Sequence, residues 1–405
     1  MNIAVIGGGA SGMMASIAAS EKQNNVYLFE KKDRVGKKIL STGNGKCNFT
    51  NAVLASDKYY CEDASYVERI FDKFDNNDLV SFFNSIGMIS KEKNGYLYPL
   101  SEQASTVLDV LREELSFLNV NVLTDFSILK IERKDNGFTL FSGDGKYPVV
   151  FDKVIMACGG LSGLGKNENN NAYDILKNLG HTITPLYPAL TQIICKGLNF
   201  VSLKGVRTEA VLNVFADNEF IIKANGEVLF TDYGLSGIVS FQISHLVKAM
   251  LLLGKKVEVC CDLMPDISKE DLKAFLISKK LLNHGKDLQS LMTGVLNKKL
   301  NIEIIKLCLL MPSMSVEQLT DDDFDRLAEN IKNMPVICKD VNSFNDSQVT
   351  AGGVKLSEVD DNCMSKIVEG LYIVGELLDV DGLCGGYNLQ WAFSTGHIAG
   401  EHACS

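Results

Sequence analysis

The sequence lacks the features that mark membrane-spanning, disulfide-bonded and zinc-binding proteins. Its longest apolar stretches, "AMLLLG" and "CLLM", fall far short of the roughly 18 to 20 residues that cross a bilayer. The 11 cysteines are odd in number and form no Cys-x-x-Cys pair, and the five histidines are scattered. These absences exclude a disulfide framework and a structural zinc site, so we expect reduced thiols in a cytoplasmic protein that holds no metal.

Negative charge predominates, with one local exception. The chain has 40 Lys and Arg against 50 Asp and Glu, a formal charge of −10, which argues against indiscriminate nucleic-acid binding. Between Lys269 and Lys306, however, eight lysines stand against four acidic residues, which gives this segment +4 and the remainder −14. Such an excess is typical of the solvated face of helices, and a contact surface for nucleic-acid phosphates stays an alternative.

What the sequence does have is a glycine pattern near its start. Residues 2–6 are short, apolar and mostly β-branched, which predicts a buried parallel strand. Gly7, Gly9 and Gly12 follow at G-x-G-x-x-G spacing and lead into "MMASIAASEK", a helix-compatible run. In such a turn the first glycine permits the bend, the second lets a pyrophosphate approach the backbone, and the third lets helix and strand pack closely.

An acidic residue stands where this motif requires one. The stretch "VYLFE" predicts a second strand that ends in Glu30, 18 residues beyond Gly12. A carboxylate at that position accepts hydrogen bonds from an adenosine ribose and disfavours a 2′-phosphate, which favours FAD or NAD over NADP. The alternative is an ordinary strand–helix–strand unit that binds no nucleotide.

Further glycine-rich segments lie far along the chain from the first. Residues 31–51, "KKDRVGKKILSTGNGKCNFTN", predict a loop that can wrap an extended cofactor. "FDKVIMACGG" predicts a strand that ends at Gly159 and Gly160, and residues 370–400 repeat a strand, a glycine and an acid before a helix of small residues. Nucleotide-facing segments at both ends of the chain suit a cofactor longer than AMP.

The middle of the chain has a different pattern. From residue 190 to residue 262, short alternating or β-branched runs predict an antiparallel sheet or a small barrel. Within it, Asn225 and Gly226 predict a hairpin turn between "FIIKA" and "EVLFT", because this dipeptide accepts the positive φ angles of a tight turn.

Residues 265–333 predict helices. Two of them begin at a serine that is soon followed by an acidic residue, at Ser268 and Ser315, which is the pattern of a capped helix start. Residues 335–346, "PVICKDVNSFND", return as a strand.

No independent catalytic motif accompanies the glycine pattern. The sequence has no Gly-x-Ser-x-Gly, no His-Glu-x-x-His and no Cys-x-x-Cys, which disfavours a disulfide-reductase mechanism. Cys47 and Cys384 lie in the glycine-rich loops, where packing against a ligand is the common role of a small residue. Tyr387, as a proton donor, and Cys384 are the candidate catalytic residues, with packing as the alternative role of each, and His397 is expected to be structural.

Several of these segments together resemble one family of flavoproteins. The motifs are "GGGASGMMA" (7–15), "GKKILSTGNGKCNFTN" (36–51), "GYLYPLSEQASTV" (95–107), "FTDYGLSG" (230–237), "VTAGGV" (349–354) and "LYIVGELLDVDGLCGGYNLQWAFSTGHIAG" (371–400). They run almost end to end and are similar to the BaiN/YhiN-like, or aminoacetone-oxidase-like, FAD enzymes, a branch of the glutathione-reductase-type FAD proteins. The second and the last motif are quite specific to this family.

The resemblance implies an α/β fold. A Rossmann-like FAD-binding domain is built from both chain ends and is interrupted by an antiparallel β-barrel-like domain and a helical subdomain. The implied division is an FAD-binding domain (1–189 and 349–405), a β domain (190–263), a helical subdomain (264–334) and a return strand of the insert (335–348).

The resemblance also implies which residues bind FAD. The adenosine half of the cofactor would be held by Glu30 with Lys31 at the ribose and by Ser127 and Ile128 beside the adenine. The pyrophosphate would be held by Gly7, Gly9, Ala10, Ser11 and Gly12, and the pyrophosphate and ribityl chain by Gly375, Glu376 and Asp379. Along the cofactor would lie Lys38, Thr42, Gly45, Cys47, Asn48, Gly159 and Gly160, and near the ring Gly385, Gly386, Tyr387, Asn388 and Leu389.

The sequence departs from the usual family pattern at three places. Lys46 replaces an arginine, which exchanges a planar bidentate contact for a point charge. Cys384 replaces a threonine before the paired glycines, and residues 163–172 lack the usual proline and Thr-Gly-Asp-Gly turn. No site residue is therefore carried over to that last segment.

The activity that the resemblance implies is that of an FAD-dependent oxidoreductase. The leading form is reduction of an electron-poor C=C bond in a small molecule of the bile-acid steroid type, by hydride transfer from flavin N5. Alternatives are dihydrouridine synthesis in rRNA, oxidation of a small amine, and a non-catalytic flavin-binding sensor or assembly module. NADH or NADPH is the expected electron donor, although no second G-x-G-x-x-G motif is present.

Overall fold

Both ends of the chain belong to the same folding unit. The computed structural model describes residues 1–22, 24–134, 137–143, 145–163 and 171–404. One unit comprises Met1–Tyr187 and Val349–Ser405, and the other comprises Pro188–Gln348. The finer division of the second unit, between residues 263 and 264 and between 334 and 335, stays a prediction.

The helices and strands follow in chain order. The first unit begins with β1 (Asn2–Ile6), α1 (Ala10–Ser20), β2 (Asn25–Phe29), β3 (Thr50–Asn51), β4 (Tyr59–Cys61), α2 (Ala64–Phe71), α3 (Asn76–Ser85), β5 (Ser90–Lys93), β6 (Tyr96–Pro99), α4 (Ala104–Phe117), β7 (Asn121–Leu123), β8 (Lys130–Lys134), β9 (Gly137–Ser142), β10 (Gly145–Phe151), β11 (Lys153–Met156) and α5 (Ala172–Asn178). The chain passes from the first unit to the second within β12 (Tyr187–Ala189). The second unit contains β13 (Ile193–Lys196), α6 (Phe200–Leu203), β14 (Arg207–Ala216), β15 (Glu219–Phe230), β16 (Gly234–Ser236), α7 (Ile238–Leu252), β17 (Val257–Asp262), α8 (Lys269–Leu282), α9 (Leu288–Met292), α10 (Lys298–Leu307), α11 (Asp321–Lys332) and β18 (Met334–Val341). The first unit resumes with β19 (Val349–Ala351), β20 (Leu371–Ile373), β21 (Val380–Gly382) and α12 (Tyr387–His402).

A five-stranded parallel sheet lies at the centre of the first unit, in the order β20-β11-β1-β2-β7. Ile3, Ala4 and Val5 of β1 are fully buried, because β2 and β11 pair with its two edges and α1 packs on it. The predicted second strand exists but ends at Phe29, one residue before Glu30. Since β20 comes from the C-terminal segment, the Rossmann-like fold from both chain ends is confirmed.

The second unit contains the predicted barrel, closed by six strands in the order β13-β16-β15-β14-β17-β18. The predicted hairpin turn at Asn225 and Gly226 is wrong, because both residues lie inside β15, where Gly226 pairs with Ala210. The turn falls instead at Asp217 and Asn218, whose φ angles are +50° and +68°. Aspartate and asparagine tolerate the left-handed conformation that a two-residue hairpin requires, so this pair supplies the turn and β15 continues through the glycine.

One of the two predicted helix starts in the second unit is confirmed. The Ser268 hydroxyl accepts a hydrogen bond from the backbone N–H of Asp271 at the start of α8. The other prediction is wrong, since Ser315 precedes only a 3₁₀ turn and α11 begins after Thr320. Thr320 and Asp323 form a capping box, in which each side chain satisfies an N–H group of the other, and this fixes the helix start.

Two glycines of α12 allow the ends of the chain to meet closely. A Cβ on Gly396 would lie 2.4 Å from the carbonyl oxygen of Ser11, and one on Gly400 would lie 2.5 Å from that of Ala15. Both distances are well below van der Waals contact, so α12 meets α1 at the level of the backbone. The contact joins the C-terminal helix to the helix of the G-x-G-x-x-G motif.

Gly396→Ala is expected to destabilise the protein by about 1–2 kcal/mol. A helix interior favours alanine by about 1 kcal/mol, but a Cβ forced against a backbone oxygen reaches the upper part of the cost of overpacking, about 2–3 kcal/mol. Urea unfolding followed by circular dichroism measures the difference. Gly143→Ala is the matched control, because a Cβ there meets no atom within 4 Å. A Gly396→Ala variant as stable as the native chain would contradict the backbone contact.

Candidate functional site

The three glycines of the first motif have different surroundings. A Cβ on Gly7 would lie 2.4 Å from the carbonyl oxygen of Ala157, and one on Gly12 would lie 1.8 Å from that of Gly7. A Cβ on Gly9 would meet no described atom within 4 Å. Gly7 and Gly12 therefore allow close packing, whereas Gly9 lies at an open face.

Helix α1 begins at that open face. Gly9 is its N-cap residue, and among the described residues no side chain caps the helix. The first backbone N–H groups of a helix have no partner within it, and the helix dipole favours negative charge at this end. The N–H groups of Ala10, Ser11 and Gly12 are thus suited to hold an anion such as a pyrophosphate.

The Glu30 carboxylate lies beside the same turn. Its Oε2 accepts the backbone N–H of Gly8 at 2.8 Å, and its Oε1 accepts that of Lys32 at 2.8 Å. The neighbouring Lys31 is exposed. An ionised carboxylate has about four acceptor positions, so Glu30 can hold the loop and still accept ribose hydroxyl groups.

The segment predicted to lie beside the adenine is hydrogen-bonded to Glu30. The backbone N–H of Phe126 donates to the Glu30 carbonyl oxygen at 3.0 Å. Next along the chain, Ser127 is exposed and Ile128 is buried, and the Ile128 carbonyl accepts the side-chain N–H of Asn171 at 3.0 Å. Ser127 and Ile128 therefore directly follow a residue that is hydrogen-bonded to the backbone of Glu30.

The loop after β2 contains an unusual run of left-handed residues. Gly43, Asn44 and Gly45 have φ angles of +55°, +53° and +81°. The run is closed by the N–H of Cys47, which donates to the Thr42 carbonyl at 3.1 Å. Only glycine and asparagine adopt this conformation readily, which explains the composition of "STGNGKCN".

The next residue, Asn48, is half-buried and lies against this loop. A Cβ on Gly43 would lie 3.0 Å from its side-chain Oδ1. Lys46 points to the surface, where its amine lies 2.7 Å from Glu102, which Lys91 also contacts. The two amines lower the pKa of Glu102 to about 2. The lysine that replaces the family's arginine thus takes part in a surface ion pair.

Segments from four parts of the first unit meet at Glu376. Its Oε2 lies 2.8 Å from the Lys38 amine, and its Oε1 accepts the backbone N–H of Thr350 at 2.8 Å. A Cβ on Gly160 would lie 2.6 Å from Glu376 Oε1, and one on Gly159 would lie 3.8 Å from Oε2. Sequence reasoning missed Thr350, for which the only signal was its place in the motif "VTAGGV".

Gly375 connects this cluster to helix α1. Its φ is +65°, and a Cβ on it would lie 2.9 Å from the Ser11 hydroxyl oxygen. Its N–H donates to Thr395 Oγ1 at 2.9 Å, and its carbonyl accepts the indole N–H of Trp391 at 3.2 Å. Thr395 and Trp391 of α12 therefore fix the backbone beside the predicted pyrophosphate site. Sequence reasoning missed both, and their only signal was their place in the motif of residues 371–400.

The paired glycines of the last motif meet the first loop. Gly385 and Gly386 have φ angles of +136° and +94°. A Cβ on Gly386 would lie 2.5 Å from the Thr50 carbonyl oxygen, and the Asn51 side-chain N–H donates to the Gly385 carbonyl at 3.0 Å. The structure therefore brings the two most family-specific motifs together.

The residues that follow these glycines have structural partners. The Asn388 amide accepts from the Gly382 N–H at 2.8 Å and donates to the Gly382 carbonyl at 2.7 Å. Tyr387 is 6% exposed, and its carbonyl accepts the Tyr59 hydroxyl at 2.9 Å. Leu389 is half-buried against the core of this unit. Burial raises the pKa of the Tyr387 phenol, so the phenol is protonated at neutral pH.

One further predicted site residue, Asp379, and the predicted structural residue His397 have the following contacts. Asp379 is half-buried, and its backbone N–H donates to the Val354 carbonyl at 3.0 Å. His397 stacks on Phe74, with ring centroids 4.1 Å apart, and lies 3.4 Å from Glu401, which fits the expected structural role. Residues 164–170, within the segment where the sequence departs from the family, lie outside the described residues.

The lysine-rich segment of the second unit is neutralised over its first part. The Lys269 amine lies 2.7 Å from Glu329, and the Lys273 amine lies 2.8 Å from Asp321. Both carboxylates belong to α11. Lys280 donates instead to a backbone carbonyl at 2.8 Å, a contact that adds no negative charge. The net positive charge that this segment presents at the surface is therefore smaller than the +4 counted from its sequence.

Neither a metal site nor a membrane span is found in the part of the chain that the structure describes. No group of three or more His, Cys, Asp or Glu residues there has the arrangement to hold a metal ion. None of the described helices is long and apolar enough to cross a bilayer.

Comparison with known proteins identifies the family. Residues 1–402 match the family described as HI0933-like protein Rossmann domain. The chain belongs to this family. The resemblance to the BaiN/YhiN-like enzymes is thereby confirmed, and membership makes the chain an FAD-dependent oxidoreductase.

Two relatives match this chain along almost their whole length. The chain is 36% identical to a 3-dehydro-bile acid delta(4,6)-reductase of Clostridium scindens, over 99% of this chain and 98% of that protein. It is 29% identical to a ribosomal RNA dihydrouridine synthase of Escherichia coli, over 96% of this chain and 95% of that protein.

A solved structure shares the fold at low identity. A 3-ketosteroid-delta4-(5alpha)-dehydrogenase from Rhodococcus jostii has a TM-score of 0.50 and 13% identity, over 100% of this chain and 96% of that one. At this identity the likeness bears on the fold alone.

Gly9→Ser is expected to weaken FAD binding without destabilising the apoprotein. Serine is at least as good an N-cap as glycine, so the free energy of unfolding should stay within about 0.5 kcal/mol of the native value or rise. The new hydroxyl would occupy the open face and compete for the N–H groups, which we expect to raise the Kd for FAD about tenfold, or about 1.4 kcal/mol.

Titration of the apoprotein with FAD, followed by flavin fluorescence, measures that Kd. Gly143→Ser is the control, because its surroundings are also open and it lies outside the predicted site. An unchanged Kd in Gly9→Ser would contradict the placement of the pyrophosphate at α1.

The two loop cysteines are expected to react slowly with alkylating reagents. Burial raises the pKa of Cys47 to about 11 and that of Cys384 to about 12. The thiolate is the reactive form, so both thiols should remain largely unmodified near pH 8 and react faster as the pH rises towards their pKa values. Mass spectrometry after iodoacetamide treatment of the native protein, with a short cysteine peptide as reference, measures the rates. Rapid modification of Cys384 at pH 8 would restore it as a nucleophile candidate.

Proposed function

We propose that the chain uses FAD to reduce a C=C bond conjugated to a carbonyl group in a small molecule of the bile-acid steroid type. The observation that supports this substrate class is the 36% identity, over nearly the full length of both chains, to the bile-acid reductase of Clostridium scindens. The synthase of Escherichia coli is more distant, at 29%. NADH or NADPH is the proposed source of electrons.

The described residues fit an FAD molecule. The uncapped start of α1, with Gly9 at an open face, suits the pyrophosphate. Glu30, with acceptor positions left after its two backbone hydrogen bonds, suits the adenosine ribose. When bound, FAD supplies the hydride for the reaction. The protein's own part is to hold and orient FAD and the substrate and to shield them from water.

Each part of the proposed site has a role that its contacts support. Ala10, Ser11 and Gly12 would hold the phosphates through their N–H groups. The Lys38 side chain is 45% exposed, and Glu376 fixes the position of its amine, whose remaining N–H groups could donate to the cofactor. The loop that carries Gly385 and Gly386 would lie near the ring, where the lack of a Cβ would let its backbone approach closely. Asp379 would approach the ribityl chain.

The candidate catalytic residues have a limited role in this proposal. The thiol of Cys384 and the phenol of Tyr387 both remain protonated at neutral pH, because burial raises their pKa values. Neither group is then an anion that attacks a substrate. In their protonated form they are suited to pack beside the ring or to donate a hydrogen bond.

A second candidate function is dihydrouridine synthesis in rRNA. The Escherichia coli relative favours it, and so do Lys280 and Lys299, which donate to backbone carbonyls and keep a net positive charge. Against it stand the carboxylates of α11 that neutralise Lys269 and Lys273. Amine oxidation and a non-catalytic flavin-binding role are the remaining alternatives, and the experiment below distinguishes them.

The deciding experiment compares how fast different acceptors reoxidise the reduced holoenzyme. The flavin is photoreduced without oxygen and mixed with a 3-oxo-4,6-diene steroid acid, with unmodified rRNA or with oxygen, and its absorbance is followed. We expect the steroid to be fastest, at least about tenfold above the others, and its product to gain two hydrogens. The steroid lacking the C=C bonds is the matched control and should reoxidise nothing.

The remaining outcomes separate the alternatives. Fastest reoxidation by rRNA, with dihydrouridine in the product, would replace the steroid proposal by the second candidate. Reoxidation by oxygen alone, with turnover of a small amine, would indicate an oxidase. A reduced flavin that passes electrons to none of them would indicate a non-catalytic protein. Reduction of the bound flavin by NADH and by NADPH is measured in parallel.

A further inference from the structure

Two cysteines of the second unit stand opposite each other on neighbouring barrel strands. Strands β13 and β18 pair antiparallel, with Cys195 opposite Cys338. Residues directly opposite each other in such a pair project to the same side of the sheet. Cys338 is 4% exposed and Cys195 is half-buried, and both pack in the apolar core of this unit. The two thiols therefore share the inner side of the barrel wall.

Backbone hydrogen bonds show that this pair is of the closely spaced kind. The N–H of Cys195 donates at 2.8 Å to the carbonyl of Tyr233, the residue before β16. A strand residue directs its N–H and its C=O to the same side, so the ladder hydrogen bonds of Cys195 point away from β18. Such non-hydrogen-bonded pairs have Cα atoms about 4.5 Å apart. A disulfide spans Cα separations of about 4.4–6.8 Å, so this pair can be bridged.

An extra residue on β18 interrupts the ladder beside the pair. Ile194 is opposite Asp340 on β18. The next residue, Cys195, is opposite Cys338, so Lys339 has no residue opposite it on β13. A bulge of this kind bends the strand and increases its twist locally. The backbone beside the cysteines is therefore less constrained by ladder hydrogen bonds, which favours the small adjustments that bridging requires.

The thiols contact each other in the reduced state. A hydrogen bond with the Cys195 thiol, together with burial, raises the pKa of Cys338. The Cys195 thiol itself donates to the carbonyl oxygen of Ile193 at 3.4 Å. Of the two cysteines, Cys195 is the more exposed, so a small oxidant from solvent meets its sulfur first. Cys338 then lies behind it in the core as the resolving thiol.

The other cysteines of the barrel are not placed to form this bridge. Cys261 is fully buried in the same core, but it is opposite Met334 and lies two strands from Cys195. Two strand spacings amount to about 9 Å, beyond the roughly 7 Å between Cα atoms that a disulfide tolerates. Cys260 is half-buried on β17, where the residue opposite it is Pro335.

We propose that Cys195 and Cys338 are a site of reversible oxidation, at which hydrogen peroxide forms a disulfide between β13 and β18. The Cys195 thiolate attacks one peroxide oxygen, the O–O bond breaks, and the departing hydroxide is protonated to water, which leaves Cys195 as a sulfenic acid. The Cys338 sulfur then attacks the Cys195 sulfur, the S–O bond breaks, and a second water leaves. Two thiols have lost two electrons and two protons, and the peroxide has gained them. A dithiol reverses the change by thiol–disulfide exchange.

The bridge would join the first and the last strand of the barrel in chain order. It lies wholly within the second unit, and neither FAD nor a substrate takes part in its formation. The inference is therefore independent of the proposed function.

The test counts thiols in the full-length holoenzyme. The reduced protein is treated with a small molar excess of hydrogen peroxide, unfolded in N-ethylmaleimide and weighed by intact mass spectrometry, and its peptides are mapped without reduction. All 11 cysteines are free at the start. We expect two of them to escape labelling, the peptides of Cys195 and Cys338 to be linked, and dithiothreitol to restore both thiols.

Variants assign the order of the two steps. Cys338→Ser should form no disulfide and should keep Cys195 as a sulfenic acid, which dimedone traps. Cys195→Ser should form neither product. Cys260→Ser is the matched control, because this cysteine is also half-buried in the barrel but has no thiol opposite it, and the variant should oxidise as the native chain does. The flavin content of every variant is measured, so that loss of folding is recognised.

The native chain alone can overturn the proposal, even where a variant does not fold. A holoenzyme that keeps all 11 thiols, while a short cysteine peptide in the same solution is oxidised, has no such site. A disulfide that maps to another pair of cysteines would also refute it. A dimedone adduct on Cys338 in Cys195→Ser would contradict the role of Cys195 as the first thiol to react.

Discussion

The first unit depends on a contact between two helices that only glycine permits. Gly396 and Gly400 bring the backbone of α12 onto Ser11 and Ala15 of α1, at distances that leave no room for a Cβ. The same approach places Gly375 against Ser11 and gives Thr395 reach to the Gly375 N–H. Any increase in the helix separation would therefore move the C-terminal motif away from the start of α1, where a pyrophosphate is proposed to bind.

The start of α1 combines positive potential with nearby hydrogen-bonding groups. The amide groups of α1 present positive potential without a side-chain charge. The Glu30 carboxylate is held by two backbone N–H groups in the adjoining turn, and the Glu376 carboxylate is held by one and pairs with the Lys38 amine. A ligand with phosphates flanked by hydroxyl groups, such as the proposed FAD, would find donors and acceptors of suitable kind there.

Local steric requirements were predictable from the sequence, and long-range partners were not. The spacing of Gly7, Gly9 and Gly12 predicts the turn because its cause lies within a few residues. The prediction of a hairpin turn at Asn225 was wrong, because β15 continues through this residue and pairs with β14. The length of a strand depends on its pairing partner, which a dipeptide does not reveal. Thr350 and Thr395 were missed because a threonine has no pattern of its own, and their partners lie far along the chain.

Buried thiols and phenols of the first unit bear on where the chemistry takes place. Burial raises the pKa of Cys47, Cys384, Tyr60 and Tyr387, so each keeps its proton at neutral pH. A protonated thiol or phenol can donate a hydrogen bond but is not an anionic nucleophile. In the proposed reaction, bond making would therefore be left to FAD and the substrate, and these side chains would contribute packing and hydrogen bonds.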